Sequence, residues 1–187
     1  MRDVIEIDTR RLQLRRIAMR DAVRVARFCD DPGVGRMLAM TPLPYLEAAA
    51  EGWILTLAAR APLERDFVFA VDLPGEGLIG CVAAHKSAGD TVEIGYWFGR
   101  PYWGQGFGTE AVSAFVCEAQ RLGCLEAGHF IDNPASGRVL AKAGFAYTGE
   151  VKRMFSMGRG ENVDCRRMRH AAGVGANDPC ADVRAVA

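Results

Sequence analysis

The run Gly104-Gln105-Gly106-Phe107-Gly108-Thr109 places three glycines at alternate positions immediately ahead of a helical pattern. Glycine there permits a tight turn and leaves successive backbone N–H groups uncovered. A helix start adds unpaired donors whose dipole sign suits a phosphate or pyrophosphate. The chemistry on offer is an anion cradle, with a purely structural turn as the alternative reading. The run lacks the Gly-Lys-Ser/Thr ending of a phosphate loop and the early first-strand position of a dinucleotide fingerprint. A second polar cluster, Asn133-Pro134-Ala135-Ser136, reads as a helix start with Asn133 as cap and Pro134 in the first turn. The histidines His85, His129 and His170 and the cysteines Cys29, Cys81, Cys117, Cys124, Cys165 and Cys180 show no metal-ligand spacing and no C-x-x-C pair. No metal site is expected, and free thiols are.

The elements that must position these residues follow from periodicity. Leu12 and Leu14 alternate with Arg11, Gln13 and Arg15, which predicts one strand over Thr9–Ile17. Ala22, Val25, Ala26 and Cys29 recur at helical spacing over Asp21–Cys29, and Asp30-Asp31-Pro32-Gly33 ends that helix. A second helix is expected from about Pro44 to Arg60. Strands over Phe67–Asp72, Leu78–His85 and Thr91–Phe98, separated by turn residues, predict an antiparallel meander. The glycine run then leads into a helix over Thr109–Leu122, with Gly123 as its stop, followed by a strand over Leu125–Ile131. A helix from Asn133 ends near Gly144, Phe145 opens another strand, and a last strand is expected over about Val163–Arg169. This order gives an α/β domain around a mixed sheet, with antiparallel pairing early and a crossover later. Residues 171–187, rich in Ala, Gly, Asp and Pro, read as a flexible tail.

Composition bounds the function. The chain has 187 residues, half of them hydrophobic, which suits one soluble domain. Its 23 Lys+Arg balance 23 Asp+Glu, so no nucleic acid and no membrane is expected as a partner. The lysines are Lys86, Lys142 and Lys152 alone, and arginine carries the rest of the positive charge. No stretch approaches the roughly 18 apolar residues of a membrane span, and MRDVIEIDTRR puts charges where a signal peptide needs an apolar segment; the expected location is cytoplasmic.

Several motifs in order carry a resemblance: Glu93-Ile94-Gly95-Tyr96-Trp97, then Tyr102-Trp103 through Thr109-Glu110-Ala111, then Asn133-Pro134-Ala135-Ser136 and Gly144-Phe145. Together they resemble the GCN5-related N-acetyltransferase (GNAT) superfamily, with the bacterial ribosomal-protein alanine N-acetyltransferases as the nearest branch. The Arg10–Arg15 string and the element order extend the likeness to about Arg169. The resemblance implies a single-domain α/β fold over residues 1–170, with a central mixed, mostly antiparallel sheet splayed in the middle and flanked by helices. It also implies transfer of the acetyl group of acetyl-CoA, as cosubstrate, to a primary amine by direct attack in a ternary complex. The acceptor would be a protein N-terminal amine or a small-molecule amine, and the enzyme a monomer or homodimer. The competing class is a catalytically inactive acyl-CoA-binding or protein-interaction module.

Carried over residue by residue, the resemblance puts the pyrophosphate on the backbone of Gln105, Gly106, Phe107, Gly108 and Thr109. The pantetheine arm falls on the strand end Tyr96, Trp97 and Phe98, with Asn133 either contacting that arm or capping its helix. Trp103 stands where the family pattern often has Arg or Gln, which a main-chain grip tolerates. Many relatives place a tyrosine near the departing sulfur seven residues after the family asparagine; here that position is Leu140. Ser136 is therefore the candidate donor to the sulfur, against a local capping role. Glu93 is the candidate base for the acceptor amine, against a solvent-facing strand position, with Glu150 in reserve and Lys152 or Arg153 as its ion-pair explanation. A second acid of the alanine branch would fall at Phe155. His85, Tyr96 and Tyr147 could border the cleft, and Trp53, Trp97, Trp103 and Phe107 could line an acceptor groove.

Overall fold

A computed structural model describes residues 6–87, 89–171 and 184–186. Of the expected first strand only Gln13–Arg16 is extended, and an unforeseen strand precedes it. β1 (Glu6–Asp8) and β2 (Gln13–Arg16) pair antiparallel around a turn that Thr9 closes: its N–H donates to the Leu12 carbonyl at 2.9 Å, and its Oγ1 accepts from the Leu12 N–H at 3.0 Å. α1 (Ala22–Cys29) follows as expected, with Ala22, Val25, Ala26 and Cys29 buried. A short helix α2 (Pro32–Gly35) was not foreseen; the Asp31 side chain caps it by accepting from the Gly33 N–H. α3 spans Glu47–Arg60, three residues later than the expected start, because the Tyr45 N–H is held by the Asp30 carboxylate and the first helical carbonyl is that of Leu46.

The meander is β3 (Asp66–Leu73), β4 (Gly77–Lys86) and β5 (Thr91–Phe98), antiparallel throughout. α4 (Phe107–Ala119) crosses to β6 (Cys124–Phe130), which lies parallel to β5. α5 (Pro134–Lys142) leads to the long hairpin of β7 (Phe145–Ser156) and β8 (Glu161–His170). The sheet order is β7-β8-β6-β5-β4-β3-β2-β1-β9, with β5–β6 its parallel pair. Strand β9 (Arg184–Val186) pairs antiparallel with β1; most of the stretch assigned to a tail, Cys180 included, lies outside the described residues.

Alternation along the strands buries both faces. Val92, Ile94 and Phe98 join Ala111, Val112, Phe115 and Leu140 of α4 and α5 in one core. Leu78 and Cys81 join Val25, Phe28, Ala50 and Ile54 of α1 and α3 in the other. The β7–β8 turn is tied to the stretch between α2 and α3: the Met157 N–H donates to the Ala39 carbonyl at 2.9 Å, Ser156 Oγ to the Leu38 carbonyl at 3.2 Å and Arg159 Nε to the Arg36 carbonyl at 2.7 Å. Thiols are free at Cys29, Cys81, Cys124 and Cys165, but Cys117 is disulfide-bonded, which corrects the expectation of free cysteines throughout. No helix of the described residues is long and apolar enough to cross a membrane.

Candidate active site

The parallel pairing of β5 with β6 runs from Thr91 opposite Cys124 to Ile94 opposite Ala127 and stops there. Beyond it, Gly95–Phe98 of β5 stays paired with β4, and Gly128–Phe130 of β6 stays paired with β8. The two strands therefore part at Gly95 and Gly128, which opens the sheet at its middle and bares strand backbone on both arms.

Beside this split, the glycine run turns into α4. Gly104 and Gly106 have φ of 74° and 80°, the left-handed region that glycine enters without steric cost, and Gly106 is the helix cap. The Glu110 N–H makes the first helical bond, to the Gly106 carbonyl at 3.1 Å. The amides of Phe107, Gly108 and Thr109 precede it and are the open donors of the first turn. Phe107 is buried beneath them in the core, and Gln105 is exposed, its side-chain amide donating to the Pro101 carbonyl at 2.8 Å. The Trp103 indole N–H donates to the Phe98 carbonyl at 2.7 Å, tying the loop to the end of β5 where the family pattern often has Arg or Gln.

The first turn of α5 forms the third side. Asn133 caps it through Oδ1, which accepts from the Ser136 N–H at 3.2 Å. The Tyr96 hydroxyl lies 2.7 Å from Ser136 Oγ and donates to the Ser136 carbonyl at 3.0 Å. Burial pushes the Tyr96 hydroxyl up to about 12, the Ser136 hydrogen bond only partly offsetting it, so Tyr96 stays protonated at neutral pH. On the opposite arm, His129 Nδ1 donates to the Phe130 carbonyl at 2.8 Å, which leaves Nε2 to accept from the Tyr147 hydroxyl at 3.0 Å. Leu140 is wholly buried in the core.

Glu93 lies just below the split. Both its oxygens accept from the Arg167 guanidinium, Oε1 from Nη1 at 2.7 Å and Oε2 from Nη2 at 2.5 Å. Arg167 is buried and reaches over β6 at Gly128; a Cβ there would stand 2.7 Å from Arg167 Nη1 and 2.6 Å from Cys165 Sγ. A side chain at 128 would have to displace that guanidinium and the Cys165 thiol. The Glu93 hydrogen bonds raise the Arg167 guanidinium, against its burial. His85, opposite Glu93 on β4, is bound through Nδ1 to Asp66 at 2.8 Å.

The side chains of other candidates point elsewhere. Trp97 packs against Phe28 in the α1–α3 core, and Phe98 is buried in the α4–α5 core. Glu150 is exposed, 3.5 Å from Lys152 Nζ, and Phe155 is exposed on β7. Three residues escaped the sequence reading of the site. Arg167 is 74 positions from Glu93, and Thr9 and Arg11 are 101 and 99 from their partner Glu110. No spacing announces such pairs, although Arg11 lies inside the Arg10–Arg15 string.

A mixed sheet split between a parallel pair, with a glycine-capped helix start beside the split, is the architecture of an acetyltransferase-type domain. Residues 11–146 match the acetyltransferase (GNAT) domain family, and the chain belongs to it. The chain is similar to the uncharacterized N-acetyltransferase YoaA of Bacillus subtilis (strain 168), at 30% identity over 152 residues, 78% of this chain and 85% of the relative. It is also similar to the solved structure of a GNAT-family acetyltransferase from Bacillus anthracis, with a TM-score of 0.74 and 25% identity over 88% of this chain and 96% of that one. The ribosomal-protein-S5-alanine acetyltransferase from Vibrio fischeri shares the fold at a TM-score of 0.73 and 20% identity, over 91% of this chain and all of that one, 100%.

Proposed function

We propose that the chain transfers the acetyl group of acetyl-CoA to a primary amine by direct attack in a ternary complex. The observation that carries this reading is the placement of the open α4 amides at the point where β5 and β6 part. That donor set suits a pyrophosphate: backbone N–H groups at the positive end of a 13-residue helix. In the reaction the amine nitrogen bonds to the acetyl carbon, the carbon–sulfur bond breaks with its electron pair left on sulfur, the amine loses one proton and the thiolate gains one.

Each of those demands has a candidate. Gln105, Gly106, Phe107, Gly108 and Thr109 hold the pyrophosphate by main chain, and the backbone of Tyr96–Phe98, with Asn133, holds the pantetheine arm. Ser136 faces the departing sulfur with the protonated Tyr96 hydroxyl behind it. Glu93 accepts the amine proton directly or through water, oriented by Arg167. Positioning of the amine against the thioester supplies most of the rate. The acceptor is a protein N-terminal amine or a small-molecule amine; similarity to the Vibrio fischeri enzyme, whose name specifies an alanine of a ribosomal protein, supports the former class. The working unit is residues 1–170, with the following segment adding strand β9 beside β1, acting in the cytoplasm as a monomer or homodimer.

The test is a coenzyme A release screen over peptides with free N-termini, amino acids, polyamines and amine drugs, with mass spectrometry of the product. Release matched by an acetylated amine is the expected outcome. Calorimetric binding of coenzyme A with no transfer to any class would favour the inactive acyl-CoA-binding module instead.

A further inference from the structure

The turn between β1 and β2 docks on the first turn of α4. Glu110 Oε1 accepts from Thr9 Oγ1 at 2.7 Å and from the Arg11 N–H at 2.8 Å, and Oε2 accepts from Arg11 Nε at 2.7 Å. The same guanidinium donates through Nη1 to the Gln105 carbonyl at 3.0 Å and lies over the Phe107 ring, 4.4 Å from its centroid. Its Nη2 is 3.4 Å from where a Cβ on Gly106 would stand. One side chain thus touches the last loop peptide, the helix cap and the first helical turn.

Two physical consequences follow. A trans peptide sets C=O and N–H on opposite sides, so fixing the Gln105 carbonyl fixes the direction of the Gly106 N–H in a loop whose glycines would otherwise leave it free. An acid in the first turn of a helix that receives a phosphate repels it, and Arg11 neutralises that acid: burial opposes ionisation of Glu110, but the hydrogen bonds from Thr9 and Arg11 outweigh it and hold the carboxyl below its ordinary range.

We infer that Arg11 is the positioning residue of the pyrophosphate loop, supplied from the β1–β2 turn 94 positions before the loop, holding the Gln105 carbonyl and cancelling the Glu110 charge. This rests on the reading of the loop as the coenzyme A cradle. The test compares the unaltered chain, Arg11→Ala and Arg11→Lys for calorimetric binding of coenzyme A, 3′-dephospho-coenzyme A and pantetheine, with thermal unfolding measured on each. Arg11→Ala is expected to weaken both pyrophosphate-bearing ligands about tenfold, the scale of one lost charge-assisted contact, and to leave pantetheine unchanged. Arg11→Lys is expected to recover most of that loss, and it serves alone if the alanine variant does not fold, with a loss of about threefold confined to the same two ligands. Equal affinities across the variants, a loss shared by pantetheine, or a loss confined to coenzyme A and absent with its 3′-dephospho form would each overturn the inference. Failure of the unaltered chain to bind coenzyme A at all would overturn the cradle reading itself, and the role of Arg11 with it.

Discussion

Ser136 and Tyr96 show how far single residues could be read. The Asn133–Ser136 motif marked a helix start, and its capping bond is present. Ser136 alone is a poor acid, and what changes its chemistry is a hydroxyl from β5, 40 positions earlier, that no local pattern joins to it. With Tyr96 protonated up to about 12, its O–H can turn from the Ser136 carbonyl to Ser136 Oγ, and the serine keeps its own proton and hydrogen-bonds a departing thiolate until solvent protonates the sulfur. Both Ser136→Ala and Tyr96→Phe are therefore expected to lower kcat about 10- to 100-fold with little change in KM for acetyl-CoA. Because Tyr96 does not ionise in the neutral range, the Tyr96→Phe deficit is expected to be constant from pH 6 to about pH 9. A turnover equal to that of the parent in both variants would leave Ser136 as a cap and Tyr96 as its packing partner.

Elements were more legible than the geometry between them. The meander and the two crossover helices follow from alternation and helical spacing, since each buries its own apolar residues. The β1–β2 turn was missed because a side chain, Thr9, closes it inside an otherwise alternating run. The place where β5 and β6 part was not legible, since it depends on where a parallel register ends. Glu93 sits within the last paired residues, opposite Glu126, and the Arg167 guanidinium reaches it past Gly128, so the candidate base is met by a cross-strand arginine. The two roles of Glu93 separate in Glu93→Gln. A base in turnover predicts a fall in kcat of about 10- to 100-fold at neutral pH with coenzyme A affinity retained. An anchor for Arg167 predicts near-parental turnover at saturating substrate and a lower unfolding temperature, since a buried guanidinium loses a bidentate partner. Steady-state kinetics paired with thermal melts distinguishes them.

For the whole molecule, the link between the sheet and the α1–α3 layer is ionic as well as apolar. Arg15 on β2 bonds Asp21, which leads into α1, at 2.7 and 2.8 Å, and Asp72 at the end of β3 at 2.7 and 3.0 Å. Burial opposes ionisation of Asp21, but the Arg15 hydrogen bonds and the Ala18 N–H hold its carboxyl below the ordinary range. A depressed carboxyl stabilises the fold fully above its unfolded pKa and loses that contribution as pH falls through the folded one. Asp21→Asn is expected to cost about 1–3 kcal/mol at pH 7, with the gap to the parent closing below about pH 4. Denaturant unfolding at both pH values checks it; a gap independent of pH would assign the loss to packing. The order of elements gave the α/β class that the mixed sheet and its helices show, but neither it nor the balanced charge could identify the acceptor.

The tie between the β7–β8 turn and the stretch after α2 bears on how segments of this fold can be exchanged. The carbonyls of Arg36, Leu38 and Ala39, in the stretch between α2 and α3, are spoken for by a hairpin more than 100 positions downstream. A graft that moves one segment between relatives strands polar groups on the other. Exchange of either segment alone between relatives is therefore expected to cost folding stability that exchange of both together retains.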